Sequence, residues 1–174
     1  FIKSYCKLKN YNCVVKDKNV YVTKGNGVNF PCYVAHTDTC ASFVPDNQFS
    51  IATIGDDTVV GFNYIKNKFT QVGFDDKIGI FIALSMLERI DYGKAFFPYA
   101  EEVGCIGTGK ADMDFFEDCG YVIQCDRRDS TGIVKSVYGV PLMSKEFGEL
   151  LLSDGAEYKR KLTTGMLTDV YKLK

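Results

Sequence analysis

Short apolar runs of strand length alternate with helical segments along this chain, and that alternation constrains the fold more than any other feature. Predicted strands cover residues 13–17, 20–23, 30–35, 94–100, 121–125, 132–138 and 156–162, the last of them charged and typical of a sheet edge. Predicted helices cover residues 1–8, 77–90, 107–119 and 144–153, and another opens at Thr168-Asp169. Residues 49–62 alternate around Gly55-Asp56-Asp57, which predicts a hairpin. Together these segments indicate a layered α/β fold.

The bulk properties narrow the possible partners. The chain has 174 residues and a net charge of -1. Its length favours one globular domain over residues 1–174. The near-neutral charge gives no basis for binding nucleic acid or an anionic membrane. The longest apolar candidate, residues 78–87, is far shorter than the roughly 18 residues of a membrane span, so we expect neither partner.

The cysteines favour a reducing compartment. There are seven of them, an odd number, and no two are spaced C-x-x-C, which argues against a zinc ribbon and against a complete disulfide framework. We therefore expect free thiols and a cytoplasmic protein. The chain begins at Phe1, inside a predicted helix, so we expect that a segment before it is missing and leave targeting open.

Acidic groups and the only histidine stand where predicted strands end. His36 follows one apolar run, Glu101-Glu102 follow the next and Asp126 follows a third, while Asp75 stands on a strand-to-helix turn. Ligands collect at the carboxyl ends of strands in an open α/β sheet. Imidazole and carboxylate are ligands of zinc, and a carboxylate can bridge two ions. The pattern therefore predicts a divalent metal site and metal-dependent hydrolysis.

Ordinary structural roles compete with this interpretation. A lone histidine is more often a satisfied core residue, and Asp75-Asp76 would by default cap the following helix, with Asp76 the more structural of the two. Glu101-Glu102 could be a solvated pair at a strand end. Asp126 precedes Arg127 and Arg128, which favours a surface ion-pair cluster as its alternative role.

Two other chemistries fit the sequence poorly. Gly104, Gly107 and Gly109 form G-x-x-G-x-G, but the Lys-Ser/Thr of a phosphate-binding P-loop is absent from this motif. Cys40 lies four residues from His36, yet no feature selects it as a nucleophile over the other cysteines, and the carboxylates would go unexplained.

Several motifs in order resemble those of the co-catalytic zinc exopeptidases. These are H-x-D at His36 and Asp38, D-D-x-x-G at 75–79, E-E-x-G-x-x-G at 101–107, and an aspartate that ends the next strand at Asp126. Thr168-Asp169, after Gly165, is similar to the family's late G-T-D segment. The relatives are tripeptidases of the peptidase T kind, glutamyl aminopeptidases and acyl-amino-acid deacylases.

The resemblance implies a fold and a role for each group. The fold would be a mixed, mostly parallel central sheet flanked by helices, without the family's inserted lid or dimerisation domain. Asp75 would bridge two metals, His36 and Asp126 would complete one of them, and Glu102 would bind the other. Glu101 would be the general base and acid, and Asp38 would orient His36, while Asp169 is expected to cap a helix or support the site. The reaction would be attack of a metal-activated hydroxide on the terminal amide of a small peptide.

The ligand set departs from the family in one respect. The family's second metal takes a further histidine near the C-terminus, and this chain has one histidine. Three explanations stay open: a chain truncated at both ends, a water or carboxylate in place of the histidine, or one empty site. We expect one or two Zn²⁺ ions, with Mn²⁺ or Co²⁺ also compatible with nitrogen and oxygen ligands.

The expected partner is a small peptide or an acyl-amino acid. Alternative functions are a single-metal or catalytically impaired relative that acts as a binding module, and a deacylase of N-acyl amino acids. A monomer is the default expectation, and a homo-oligomer paired through the predicted edge strand is possible.

Overall fold

The computed structural model describes residues 1–40, 45–127, 131–154, 160–165 and 167–173. The strands in these ranges are β1 (Asn12–Lys16), β2 (Asn19–Lys24), β3 (Phe30–Val34), β4 (Phe49–Ile54), β5 (Thr58–Asn63), β6 (Lys68–Thr70), β7 (Gly93–Phe97), β8 (Cys119–Gln124), β9 (Gly132–Val137), β10 (Val140–Pro141) and β11 (Lys161–Gly165). The helices are α1 (Ile2–Lys9), α2 (Phe74–Arg89), α3 (Lys145–Asp154) and α4 (Asp169–Lys172), with short 3-10 turns at Asp46–Gln48, Thr108–Lys110 and Met113–Phe116.

The central sheet has the strand order β1-β2-β7-β3-β8. β3 is parallel to both of its neighbours, β7 and β8, whereas the β1–β2 and β2–β7 pairs are antiparallel. The α/β class is therefore confirmed, but the sheet is evenly divided between the two pairing modes, and a mostly parallel sheet is not confirmed. The three strands that matter for the site are the parallel ones, because their carboxyl ends share one edge.

Two smaller three-stranded sheets accompany the central one, the first formed by residues between β3 and β7 and the second by residues after β8. β4, β5 and β6 form an antiparallel meander, and the register Ile54↔Thr58 closes the predicted hairpin. β9 lies between β10, its antiparallel hairpin partner, and β11, to which it is parallel. The strand predicted at 156–162 falls largely on residues 155–159, which lie outside the described residues, and the strand found here begins at Lys161.

Apolar side chains of the central sheet pack on both faces. On one face Leu84 and Leu87 of α2 pack against Ala95 and Phe97 of β7. On the other face Phe96, which is the intervening residue of β7, packs in a cluster whose members are Tyr21, Cys32, Val34, Phe115, Phe116, Val170 and Leu173. The side chains of β7 alternate between the two faces, as the period of a strand requires. This two-sided burial explains the continuous apolar sequence of β3 and β7.

Element boundaries follow local signals. β7 ends at Phe97, directly before Pro98, which has no N–H for the ladder. The Ser144 hydroxyl accepts a hydrogen bond from the Phe147 N–H at 3.1 Å, so the predicted cap of α3 is confirmed. The predicted helix at 107–119 is instead two separate 3-10 turns, because Ala111 between them is extended.

All seven cysteines are free thiols. No helix in the described ranges is long and apolar enough to cross a membrane.

Candidate metal centre

The predicted site residues converge at one edge of the central sheet. His36 lies two residues beyond β3, Asp126 lies two residues beyond β8, and Glu101-Glu102 follow β7 after an irregular turn. Since β3 is parallel to both β7 and β8, the three segments leave the sheet on the same side. Asp75, at the start of α2, reaches the same place and lies 3.0 Å from His36, measured from Oδ1 to Nε2.

His36 is the centre of the cluster. Its side chain is 1% exposed, and its Nδ1 lies 3.0 Å from the main-chain oxygen of Asp38. A carbonyl oxygen only accepts, so this contact assigns a proton to Nδ1 and directs Nε2 at the carboxylates. Nε2 lies 3.0 Å from Asp75 Oδ1 and 3.9 Å from Asp126 Oδ2. Such an arrangement needs a cation or a second proton at Nε2.

Electrostatics favour a second proton on this imidazole. Burial is the largest single effect and lowers the pKa of His36. The surrounding carboxylates of Asp126, Asp76, Glu101 and Asp38 together outweigh it, so the pKa is raised above its ordinary value. A divalent cation at Nε2 would take the place of that proton.

Two overlapping groups of side chains have the composition of a metal site. His36, Asp75 and Glu102 form one group, and His36, Asp76 and Asp126 form the other. In each group the ligand atoms lie within 4.8 Å of one another. Nitrogen and carboxylate oxygen ligands of this kind suit zinc. Both groups depend on the same histidine.

Asp38 joins the two sides of the site. Its carboxylate accepts hydrogen bonds from the N–H groups of Glu101 at 3.0 Å and of Glu102 at 3.3 Å. Its contact with His36 is made mainly by the backbone, since the carboxylate oxygen lies 3.5 Å from Nδ1. Thr37 adds a hydrogen bond from its N–H to Pro98 O at 2.8 Å. The segment after β3 therefore holds the segment after β7 in place.

Asp76 is more deeply embedded than its neighbour Asp75. Its carboxyl group is 4% exposed, and Oδ1 accepts the Gly79 N–H at 2.9 Å, while no hydrogen-bond donor among the described residues reaches Oδ2. Burial and then the charge of Asp126 raise its pKa to about 7. The helix-capping role is present, as the sequence predicts, and the carboxyl group also belongs to the second ligand group. Asp75 and Asp76 lack helical backbone angles, so the regular part of α2 begins after them.

Glu101 is the carboxyl group best placed for proton transfer. Burial, followed by the charges of Asp169 and Asp126, raises its pKa to about 7. Its Oε1 accepts a long hydrogen bond from the Cys105 thiol, with sulfur and oxygen 3.7 Å apart. A group that titrates near neutral pH can both take and return a proton. Glu102 differs, because its Oε1 accepts the Cys40 N–H at 3.3 Å and lies in the first ligand group.

Asp126 makes its contacts inside the site. It is half-buried, and burial raises its pKa against the opposing effect of His36. The Gln124 side chain donates from Nε2 to Asp126 Oδ2 at 2.9 Å. These partners, His36 and Gln124, are different from the surface ion pair with the following arginines that the sequence left open; Arg128 lies outside the described residues.

Three polar groups at the site are not among the metal ligands or the base that the sequence predicts. Asp76 has the signature of a helix cap, Gln124 lies inside a strand, and Asp169 opens a short helix. Asp169 is fully buried, its Oδ1 accepts the Thr108 hydroxyl at 2.5 Å, and burial raises its pKa to about 6. For Asp76 the only sequence signal is its place directly after Asp75. For Gln124 it is its place two residues before Asp126.

A cavity of about 680 Å³ opens beside the cluster. Asp126 lies on its wall, with Ile133 and Leu151 on its apolar side and Arg127 and Arg160 among its polar residues. A volume of this size accommodates a small ligand.

Among known proteins, the matches found are solved structures with a similar fold. No protein-family model matches the sequence, and no curated protein matches it. A tripeptidase from Staphylococcus aureus superposes with a TM-score of 0.57 at 18% identity, over 78% of this chain and 39% of the tripeptidase. A TET1 peptidase from Pyrococcus horikoshii superposes with a TM-score of 0.59 at 14% identity, over 99% of this chain and 80% of that peptidase.

These neighbours are peptidases, and the chain shares their fold. The chain spans well under half of the tripeptidase, and at identities of 18% and 14% the likeness concerns the fold alone. The case for a function therefore depends on the side chains described above.

Proposed function

We propose that this chain is the catalytic domain of a metal-dependent exopeptidase that hydrolyses the terminal peptide bond of small peptides. One observation carries the proposal. His36, Asp75, Asp76, Glu102 and Asp126 come from four separate segments, yet their ligand atoms form two groups that share one buried imidazole. The peptidase fold of the structural neighbours supports the same reaction class.

The donor set fits one or two divalent ions. His36 and Asp126 would hold one ion, Glu102 would hold the other, and Asp75 would serve both. Asp76, whose buried Oδ2 has no donor among the described residues, is a further candidate for the first ion. Bound Zn²⁺, Mn²⁺ or Co²⁺ would supply Lewis-acid polarisation of the amide carbonyl and a lowered pKa for water.

The chain's own residues would do the rest. Glu101, whose pKa is raised to about 7, accepts the proton of the attacking water and returns it to the leaving amine. Asp38 keeps the His36 ring in one tautomer through its carbonyl oxygen and keeps Glu101 in place through its carboxylate. The adjoining cavity receives the substrate side chain.

Metal stoichiometry is the first test. Elemental analysis of protein purified without chelator should find one or two zinc ions per chain, and removal of the metal should abolish hydrolysis of a tripeptide panel. Protein that neither contains zinc nor binds added zinc would refute the proposal.

The role of Glu101 has its own test. E101Q should remove turnover while metal stays bound, because the substitution removes the proton acceptor and leaves the ligands. E117Q makes the same change at an exposed glutamate and should leave turnover unchanged. Substantial turnover by E101Q would contradict the assignment of the base.

A second candidate function is a single-metal binding module. The observation in its favour is that both ligand groups use His36, and one Nε2 can bind only one ion. One zinc ion per chain together with no hydrolysis of any peptide would select it. A panel that includes N-acyl amino acids separates a deacylase from a peptidase.

Assembly and location complete the proposal. One structural neighbour can assemble into a tetrahedron or a large octahedral shell. We include a homo-oligomer as an alternative to a monomer, which light scattering distinguishes. A cytoplasmic location remains part of the proposal on the basis of the free thiols.

A further inference from the structure

Gln124 links the candidate metal ligand Asp126 to a distant part of the chain. It is the last residue of β8, and its amide is used on both sides. Nε2 donates to Asp126 Oδ2 at 2.9 Å. Oε1 accepts the Thr168 hydroxyl at 2.7 Å and the Val170 N–H at 3.1 Å. All the partners of this side chain lie at the site edge of the sheet or at the start of α4.

The orientation of this amide is fixed by its partners. The Val170 N–H can only donate, so the oxygen of the Gln124 amide must face it. The nitrogen is then left facing Asp126, whose carboxylate can only accept while it is ionised. A flipped amide would place two donors together on one side and two acceptors on the other. Gln124 therefore presents a donor to Asp126 in one defined direction.

The segment that orients Gln124 is itself firmly held. Asp169, between the two donors, is fully buried and accepts the Thr108 hydroxyl at 2.5 Å. Val170 packs on the apolar cluster beneath the sheet, which contains the side chain of Phe96. Thr108 directly follows the E-E-x-G-x-x-G loop. The start of α4 thus contacts both the loop that carries Glu101 and, through Gln124, the strand end that carries Asp126.

We propose that Gln124 is a positioning residue for the metal centre: it holds the carboxylate of Asp126 in the ligating orientation and makes that orientation depend on the Thr168–Val170 segment. The inference rests on the proposed metal site. Its physical basis is that a ligand held by a hydrogen bond loses less freedom on binding metal than one that must be ordered at the moment of binding. Hydrogen-bonded supports of this kind typically change metal affinity by about 10–100-fold when they are removed.

A purely structural role would look different. If Gln124 only fastened α4 to β8, its loss would lower the stability of the metal-free protein and leave the affinity of the folded protein for zinc unchanged. The decisive measurement is therefore metal affinity, compared with the stability of the same variant in chelator.

Q124M removes both hydrogen-bonding functions with little change in volume. Zinc affinity of the metal-free protein would be measured by competition with a chromogenic chelator. We expect Q124M to bind zinc about 10–100-fold more weakly than the unmodified chain. Q48M makes the same chemical change at a glutamine that precedes β4 and should bind zinc as the unmodified chain does. An affinity of Q124M within about twofold of that chain, well short of the expected loss, would overturn the inference.

T168V is the second variant and decides the matter if Q124M does not fold. It removes one of the two donors that orient the amide and keeps the Val170 N–H. Loss of one such hydrogen bond is expected to weaken zinc binding about threefold or more. Unchanged affinity of T168V, when Q124M cannot be measured, would overturn the inference.

A spectroscopic readout separates orientation from affinity. At saturating Co²⁺, the visible bands of the bound ion should differ between Q124M and the unmodified chain, because the carboxylate of Asp126 no longer has one fixed direction. Identical spectra would count against the inference. If the unmodified chain binds neither Zn²⁺ nor Co²⁺, the proposed function itself fails and the inference falls with it, whereas normal binding by both proteins refutes the inference alone.

Discussion

Asp169 offers the sharpest test of the electrostatics of this site. Its carboxyl group is fully buried, Thr108 is the donor to Oδ1, and no donor among the described residues reaches Oδ2. Burial raises its pKa from 3.8 to about 6. An acid with a raised pKa in the folded state stabilises the fold when it is protonated, and that stability is lost as pH rises through the interval between the two values. The substitution D169N keeps the acceptor for Thr108 and removes the charge.

The magnitude follows from the shift in pKa. A change from 3.8 to about 6 is about two units, or about 3 kcal/mol of destabilisation once the group is fully ionised. The side-chain NH2 group that replaces Oδ2 would also lack a partner. Burying it costs about 1 kcal/mol, which is subtracted from the stability that D169N gains by removing the charge. D169N should therefore be about 2 kcal/mol more stable than the unmodified chain above about pH 7. For a chain of this length that is a rise in melting temperature of about 4–8 °C.

Thermal unfolding in chelator, at about pH 4.5 and about pH 8, measures this difference. At the lower pH the ionisation penalty has shrunk to about 1 kcal/mol and the advantage of D169N should nearly vanish. D56N, at an exposed aspartate in the β4–β5 turn, should show no such gain at either pH. If D169N is less stable than the unmodified chain at pH 8, or if its advantage is the same at both pH values, the assignment of an unfavourable buried charge is wrong.

Two further predictions concern packing at Gly79 and the ion pair between Lys94 and Asp118. G79A should lower the free energy of unfolding by about 1–3 kcal/mol, because the new methyl would stand 2.2 and 2.3 Å from the carboxylate oxygens of Asp76, whereas G109A has open space and serves as its control. D118A should destabilise the protein by about 1–2 kcal/mol, because it leaves the buried ammonium of Lys94 without its half-exposed carboxylate partner, whereas K94M should change stability by less than about 1 kcal/mol. Urea unfolding in chelator measures both; a well-tolerated G79A, or K94M more damaging than D118A, would contradict these expectations.

The sequence was sufficient for the local elements, since their signals are local. β4 and β5 pair around the predicted turn, and Ser144 caps α3 as predicted. The predicted strand after Gly93 ends before Pro98 because that residue has no ladder donor. The two 3-10 turns in place of one helix at 107–119 reflect tertiary contacts, since the second of them packs Phe115 and Phe116 beneath the sheet. The helical propensity of a segment depends on its local sequence and does not include such tertiary contacts.

The sequence also named the residues that gather around His36, but it could not assign their contacts. H-x-D predicts that Asp38 orients His36, yet the contact runs through the main-chain oxygen, and the carboxylate holds the loop of Glu101 instead. Whether Asp38 contacts His36 through its carbonyl oxygen or its carboxylate depends on the distance between the ends of β3 and β7, which are far apart in sequence. The same holds for Gln124, because the two groups that donate to its amide oxygen lie more than forty residues further along the chain. A polar residue near the end of a strand has no sequence signature until its partners are known.

The excess of buried acid at this edge argues for a cation more strongly than any one distance does. Asp76, Glu101, Asp126 and Asp169 all have a raised pKa, and in each case burial is the largest cause. In each case, too, His36 is the positive charge that opposes the shift. One imidazole cannot neutralise four carboxylates, and the helix cap at Asp76 needs only one of them. Among the described residues, none of these four carboxyl groups forms an ion pair with Lys or Arg. Buried and half-buried carboxyl groups in this number are costly to the fold, and binding a divalent ion would offset such a cost.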